Sequence, residues 1–158
     1  TLLACEIAAY TKANDSSFFK ELIETYVEHG CYKERLISIT KKGIEGSAEI
    51  NKIMESARNN PMTSINGSKV VTVEDFKTST CKNLLLDTSK PILIPKADVL
   101  IYTTEDGSKV ALRPSGTEPK IKFYISVNTT LSSATAFIAT EKTLDDKIES
   151  IIKDMKLS

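Results

Sequence analysis

An α+β fold, with antiparallel strands covered by helices on one face, is the class this sequence predicts. Three observations predict it. Apolar residues recur at helical spacing near both ends and around residues 50–57, and Val-, Ile- and Thr-rich runs separated by turn residues lie between them. Ile121–Val127 alternates with a clean period of two just before the last helical stripe. A sheet with helices on one face is the layering that buries all of these apolar surfaces.

Leu2, Leu3, Ile7, Ala8 and Tyr10 suggest a first amphipathic helix, and the opening at Thr1, inside that pattern, reads as a cut from something longer. After a polar break at 12–17, Phe18, Phe19, Leu22, Ile23, Tyr26 and Val27 mark a second helix. It should stop at Gly30 in a left-handed cap, with the single histidine, His29, in the last turn, where a cation suits the helix dipole. Tyr32–Thr40 reads as a strand or extended connector, and a domain boundary is expected near residues 40–46. Ile50, Ile53, Met54 and Ala57 then form a helical stripe that must end before Pro61.

Lys69–Val73, Ile92–Ile94 and Val99–Thr104 read as strands or partial strands, and 78–91 as a variable loop. Glu105-Asp106-Gly107-Ser108 is a hairpin signal, because Asp-Gly accepts the positive φ angles of a tight turn; it joins Val99–Thr104 to Lys109–Arg113. In the strand after it, Ile121, Phe123, Ile125 and Val127 face inward and Lys122 faces solvent. Phe137, Leu144, Ile148, Ile151, Ile152 and Met155 make the stripe of a final helix, with Asp145, Asp146, Lys147 and Lys153 outside it.

The 158 residues, 41% hydrophobic and 27% charged, suit one compact, soluble domain with a piece of a second. Twenty-one basic residues balance twenty-one acidic ones, so no broad field would hold nucleic acid or an anionic membrane, and any anion site must be local. Cys5, Cys31 and Cys81 are odd in number, widely spaced and without a CxxC pair, which fits a reducing compartment with buried or idle thiols and no metal site. No segment has the length of a membrane span or the form of a secretion signal, so the cytoplasm is the expected location.

The chemistry gathers in Arg113-Pro114-Ser115-Gly116-Thr117-Glu118-Pro119-Lys120-Ile121-Lys122. Cations enter and leave a turn that carries two hydroxyls and a glycine, which is the composition of a phosphate cradle. Arg113 can donate two parallel hydrogen bonds, Lys122 adds a point charge, and Gly116 lets the backbone reverse without a Cβ clash. Ser115 and Thr117 offer hydroxyls and amides, and Pro114 stiffens the entry. Glu118 would repel a dianion and should turn away, toward a lysine. Lys120 reads equally as a phosphate contact or a solvated charge, and Pro-Ser-Gly-Thr is also an ordinary turn composition.

Arg113–Tyr124, RPSGTEPKIKFY, resembles the phosphate-binding loop of the α-D-phosphohexomutases, the phosphoglucomutase/phosphomannomutase family, and the resemblance extends to Asn59–Val70 and Gly30–Gly46. It implies a TBP-like C-terminal domain, a four-stranded antiparallel sheet on two helices, over residues 43–158. Residues 1–42 would be the tail of the third domain and a hinge, with closure about residues 38–46. The phosphate of a hexose 1- or 6-phosphate would meet Arg113, Ser115, Gly116, Thr117 and Lys122, and Lys120 by its position; many relatives carry arginine near Lys122. The family's phosphoserine, magnesium-binding DxDxD and sugar-gripping motifs are not in this sequence. Catalysis and magnesium would therefore belong to upstream domains of the same polypeptide, and the fragment alone would be inactive. A stand-alone phosphate-binding or interaction module is the alternative reading.

Overall fold

In the computed structural model, residues 2–41 and 45–157 are described. The elements run α1 (Leu2–Ala13), α2 (Phe18–His29), β1 (Cys31–Thr40), α3 (Gly46–Asn59), β2 (Ser64–Ile65), β3 (Ser68–Asp75), β4 (Thr80–Asn83), β5 (Thr88–Pro91), β6 (Leu100–Thr104), β7 (Lys109–Pro114), β8 (Lys120–Thr129), a short 3₁₀ turn at Ala134–Ala136, and α4 (Phe137–Asp154). They gather into two compact units, one of residues up to Lys33 with Asn128–Asp146, the other of Glu34–Val127 with the residues from Lys147 onward.

In the smaller unit the Ser17 hydroxyl caps α2, accepting from the Lys20 amide at 3.2 Å. The other end departs from expectation. Gly30 has φ +94° and ψ 153°, so its amide closes on Tyr26 O while the chain runs straight out into β1 instead of turning through a left-handed helical cap. His29 is exposed in the last turn of α2. Phe137 collects two aromatic side chains of α2, with Phe19 edge-on at 5.7 Å and Tyr26 stacked at 6.3 Å between centroids. Lys33 bridges Glu141 and Asp145 of α4 at 3.1 and 2.7 Å, and Asp145 hydrogen bonding leads the causes that raise the Lys33 pKa. Beside it Cys31 is buried, and burial, then the Glu141 charge, push its thiol up. All three cysteines are free, and Cys5 is exposed.

The sheet has the order β1-β8-β7-β6-β3-β4-β5, with β2 paired to β3 off this path, and each pairing from β8 across to β5 is antiparallel. Eight strands stand where four were expected. One reason is Tyr32–Thr40, which is no mere connector but part of the ten-residue β1 at the sheet edge. Another is the expected loop 78–91, which folds as the β4–β5 hairpin because the Asn83 carboxamide accepts from Leu85 N and Leu86 N, Asp87 takes φ +48°, and Cys81 turns inward. Ile92–Ile94 is no strand: Pro91 and Pro95 bracket it, and Leu93 and Ile94 are exposed.

A further hairpin, β2–β3, turns at Asn66-Gly67 with φ of 49° and 75°, the paired positive angles of a type I′ turn. At the β6–β7 hairpin only Gly107 has positive φ. Asp106 instead uses its carboxylate, accepting from Thr104 Oγ1 at 2.6 Å and Ser108 N at 3.1 Å, while Lys147 of α4 pairs with its other oxygen at 2.9 Å.

Val110, Leu112, Leu100, Tyr102, Ile121, Phe123 and Ile125 are buried on one face, and the registers Leu112↔Phe123 and Tyr102↔Val110 place them side by side. On this face α3 and the end of α4 pack: the Tyr102 hydroxyl donates to Ala57 O at 2.7 Å, and Ile53, Met155 and Leu157 line one cleft with Leu112 and Phe123. Burial pushes the Tyr102 phenol up to about 12. Helix α3 ends at Asn59, before Pro61, whereas the boundary expected near 40–46 centres on residues 42–44, outside the described residues.

Candidate phosphate site

The alternation that buries Leu112 and Phe123 obliges Arg113 and Lys122 to face the other side of the sheet. They are direct cross-strand partners, Arg113↔Lys122, in the last rungs of the β7–β8 ladder before the loop 115–119. Ser115 N donates to Lys120 O at 2.8 Å and closes that loop. Two positions inward along each strand, Arg113 and Lys122 fall on the same hydrogen-bonded type of rung, with Cα atoms about 5.5 Å apart. Pro114 lies between them at a rung that needs no N–H, and β6 pairs no further than Leu112, so this proline removes no ladder bond.

Within the loop the Ser115 hydroxyl oxygen accepts from Thr117 N at 3.4 Å and Glu118 N at 3.3 Å. It braces the turn while keeping its own proton to donate. Gly116 does not need its freedom for the reversal, contrary to the sequence reading: its φ is not positive and an added Cβ would meet nothing within 4 Å. Open space over Gly116 is what its position provides. Lys41 N donates to Pro119 O at 2.8 Å, which ties the end of β1 to the loop.

A cavity of about 180 Å³ is lined by Arg113, Pro114, Ser115, Gly116, Glu118, Lys120 and Lys122. Five of the six expected residues are thus brought together, and Thr117 stands outside the lining, exposed. Among the described residues neither Arg113 nor Lys122 has an ion-pair partner. Glu118 was expected to turn away toward a lysine. It does find one, with Lys120 Nζ at 2.7 Å, yet it remains in the cavity wall. That hydrogen bond, then the charges of Lys120 and Lys122, hold its carboxyl below the usual range. Like charges directly opposite on a sheet repel, so Arg113 and Lys122 form a cationic pair that an oxyanion would relieve.

Sequence reasoning missed the Lys41–Pro119 link, which joins residues far apart in the chain and has no local signal. Among the described residues no three His, Cys, Asp or Glu side chains are grouped to hold a metal ion. Also among the described residues, no helix is long and apolar enough to cross a membrane.

Sheet, helices and cationic loop together define an α+β domain that carries a cationic hairpin loop over a small cavity. Residues 45–137 match the family model for the phosphoglucomutase/phosphomannomutase C-terminal domain, and the chain belongs to that family. It is 40% identical over 125 residues to a phosphoglucomutase of Staphylococcus aureus strain USA300, and the match covers 79% of this chain and 22% of that relative. The strain MRSA252 phosphoglucomutase is 39% identical over the same shares. The chain thus spans 22% of the length of these relatives. A solved structure of pp63/parafusin from Paramecium, in its open form, aligns with a TM-score of 0.44 at 12% identity over 93% of this chain and 25% of that one, a likeness too slight to build on.

Proposed function

We propose that this chain is the C-terminal part of a phosphoglucomutase/phosphomannomutase and that its β7–β8 loop grips the phosphate of a phosphosugar that is not being transferred. The single observation that supports this reading is the register-opposed pair Arg113 and Lys122, without ion-pair partners among the described residues, over a cavity lined by Ser115 and Gly116. Arg113 would fork onto two phosphate oxygens, Lys122 would add charge, and Ser115 would donate its remaining proton. The division into a tail and hinge at 1–42 and the domain at 43–158 is part of the proposal, as is a TBP-like core made of β3, β6, β7 and β8 with α3 and α4; β1, β2 and the β4–β5 hairpin are then additions.

In the whole isomerase, phosphoryl transfer and magnesium would belong to other domains of the polypeptide, and the fragment alone would be inactive. Grip at the remote phosphate would be used to align the reacting one. Two or three charge-assisted contacts, each about 1.5–3 kcal/mol before the cost of association, put the isolated site at ~1 mM for a phosphate ester. In the complete polypeptide, Arg113→Ala should raise KM for glucose 1-phosphate at least tenfold with phosphorylation of the enzyme's serine intact. Unchanged kinetics would reduce the loop to an ordinary turn.

A further inference from the structure

We propose that Glu118 is a tethered competitor for the phosphate site: it holds Lys120 in the empty loop, and an incoming phosphate takes Lys120 from it. The inference rests on the phosphate reading above and adds two residues to it with opposed roles.

Glu118 and Lys120 line the same cavity as Arg113, Ser115, Gly116 and Lys122. A carboxylate in the wall of a site built for an oxyanion is a defect unless it has a task. Its geometry supplies one. Both backbones are fixed, since Glu118 N donates to Ser115 Oγ and Lys120 O accepts from Ser115 N, so only the two side chains must move to change partners. The pair they make at 2.7 Å is a surface one, with Glu118 60% exposed, and such pairs are weak and readily exchanged. A phosphate dianion placed over Gly116 and Arg113 offers the ammonium group more charge and more acceptor oxygens than one carboxylate does. Released, Glu118 has open solvent to turn into. While paired, it also lowers the net positive charge of an empty site that already holds two opposed cations, Arg113 and Lys122. Lys120 is thereby kept ordered and close, without adding a third uncompensated charge to the loop.

The test is a titration of the 158-residue chain with inorganic phosphate at pH 8, followed by amide chemical shifts, for the parent chain, Glu118→Gln, Lys120→Met and the double variant. Glu118→Gln should bind phosphate about three- to tenfold tighter, because Lys120 no longer has to be taken from a partner. In the Glu118→Gln background, Lys120→Met should abolish most of that gain. Equal affinity of parent and Glu118→Gln overturns the proposal. So does a double variant that binds as tightly as Glu118→Gln, because the gain would then come from removing repulsion while Lys120 touches nothing. If the folded parent chain shows no shifts at residues 113–122, the phosphate reading itself falls and takes this proposal with it. That outcome is distinct from the other two.

Discussion

Lys122→Glu separates what the fold wants from what the site wants. Arg113 and Lys122 sit opposite each other on one face of the β7–β8 ladder, so the parent chain places two cations at about 5.5 Å between Cα atoms. Like-charge cross-strand pairs cost, and opposite-charge pairs gain, roughly 0.2–1 kcal/mol each. Reversing the charge at residue 122 also sets it against Glu118, whose carboxyl now feels the Lys122 charge favourably, and this offsets part of the gain. Net stabilisation of about 1 kcal/mol remains, and for a chain of this size that raises Tm by about 2–4 °C. Phosphate affinity should fall more than tenfold in the same protein. Thermal unfolding in phosphate-free, low-salt buffer reads the first effect and the phosphate titration the second; at 1 M salt, where the Debye length is about 3 Å, the Tm difference should largely disappear. A variant with lowered Tm and undiminished phosphate binding would refute the cross-strand argument.

Two further predictions concern the frame that holds the loop. Tyr102→Phe leaves Ala57 O without its buried donor at almost constant volume, so it should cost about 1–2 kcal/mol in urea unfolding; no change would mean that the 2.7 Å bond contributes nothing to seating α3. Burial works against the Asp106 carboxylate, but donors from Thr104, Lys147 and Ser108 outweigh it and hold its pKa well below normal. A depressed carboxylate stabilises the fold fully above its unfolded pKa, and the contribution is lost as pH falls through that value toward the folded one. Asp106→Asn should therefore cost about 1 kcal/mol at pH 7, discounted for the exposure of the pair, and the difference from the parent should shrink below about pH 4. A difference as large at pH 2.5 as at pH 7 would assign the effect to hydrogen-bond geometry instead of charge.

Much of this frame was legible because its signals are local. Period-two alternation in Ile121–Val127 placed Lys122 on the open face, and the same stretch buries four side chains beneath it. Pro61 marked the end of α3 by backbone chemistry, and the apolar stripe over 137–155 marked α4 by its period. What was not legible depends on pairing across the chain. Thr80–Asn83 and Thr88–Pro91 are polar and short, and they become strands only because β3 offers an edge and Asn83 closes the turn. Asn66-Gly67 is a strong turn dipeptide, but the two-residue β2 on one side leaves no periodicity to announce a hairpin. At the loop, residue types pointed to an oxyanion cradle, while the use of the Ser115 oxygen as a brace and the persistence of Glu118 in the wall follow from geometry that spacing does not encode.

Inorganic phosphate titrated into the 158-residue chain, observed amide by amide, is the sharpest probe of the proposed oxyanion site. Saturable shifts confined to residues 113–122 and the adjoining Lys41, with a midpoint of ~1 mM, are expected. Shifts scattered over the surface, or none at Arg113 and Lys122 up to tens of millimolar, would contradict it.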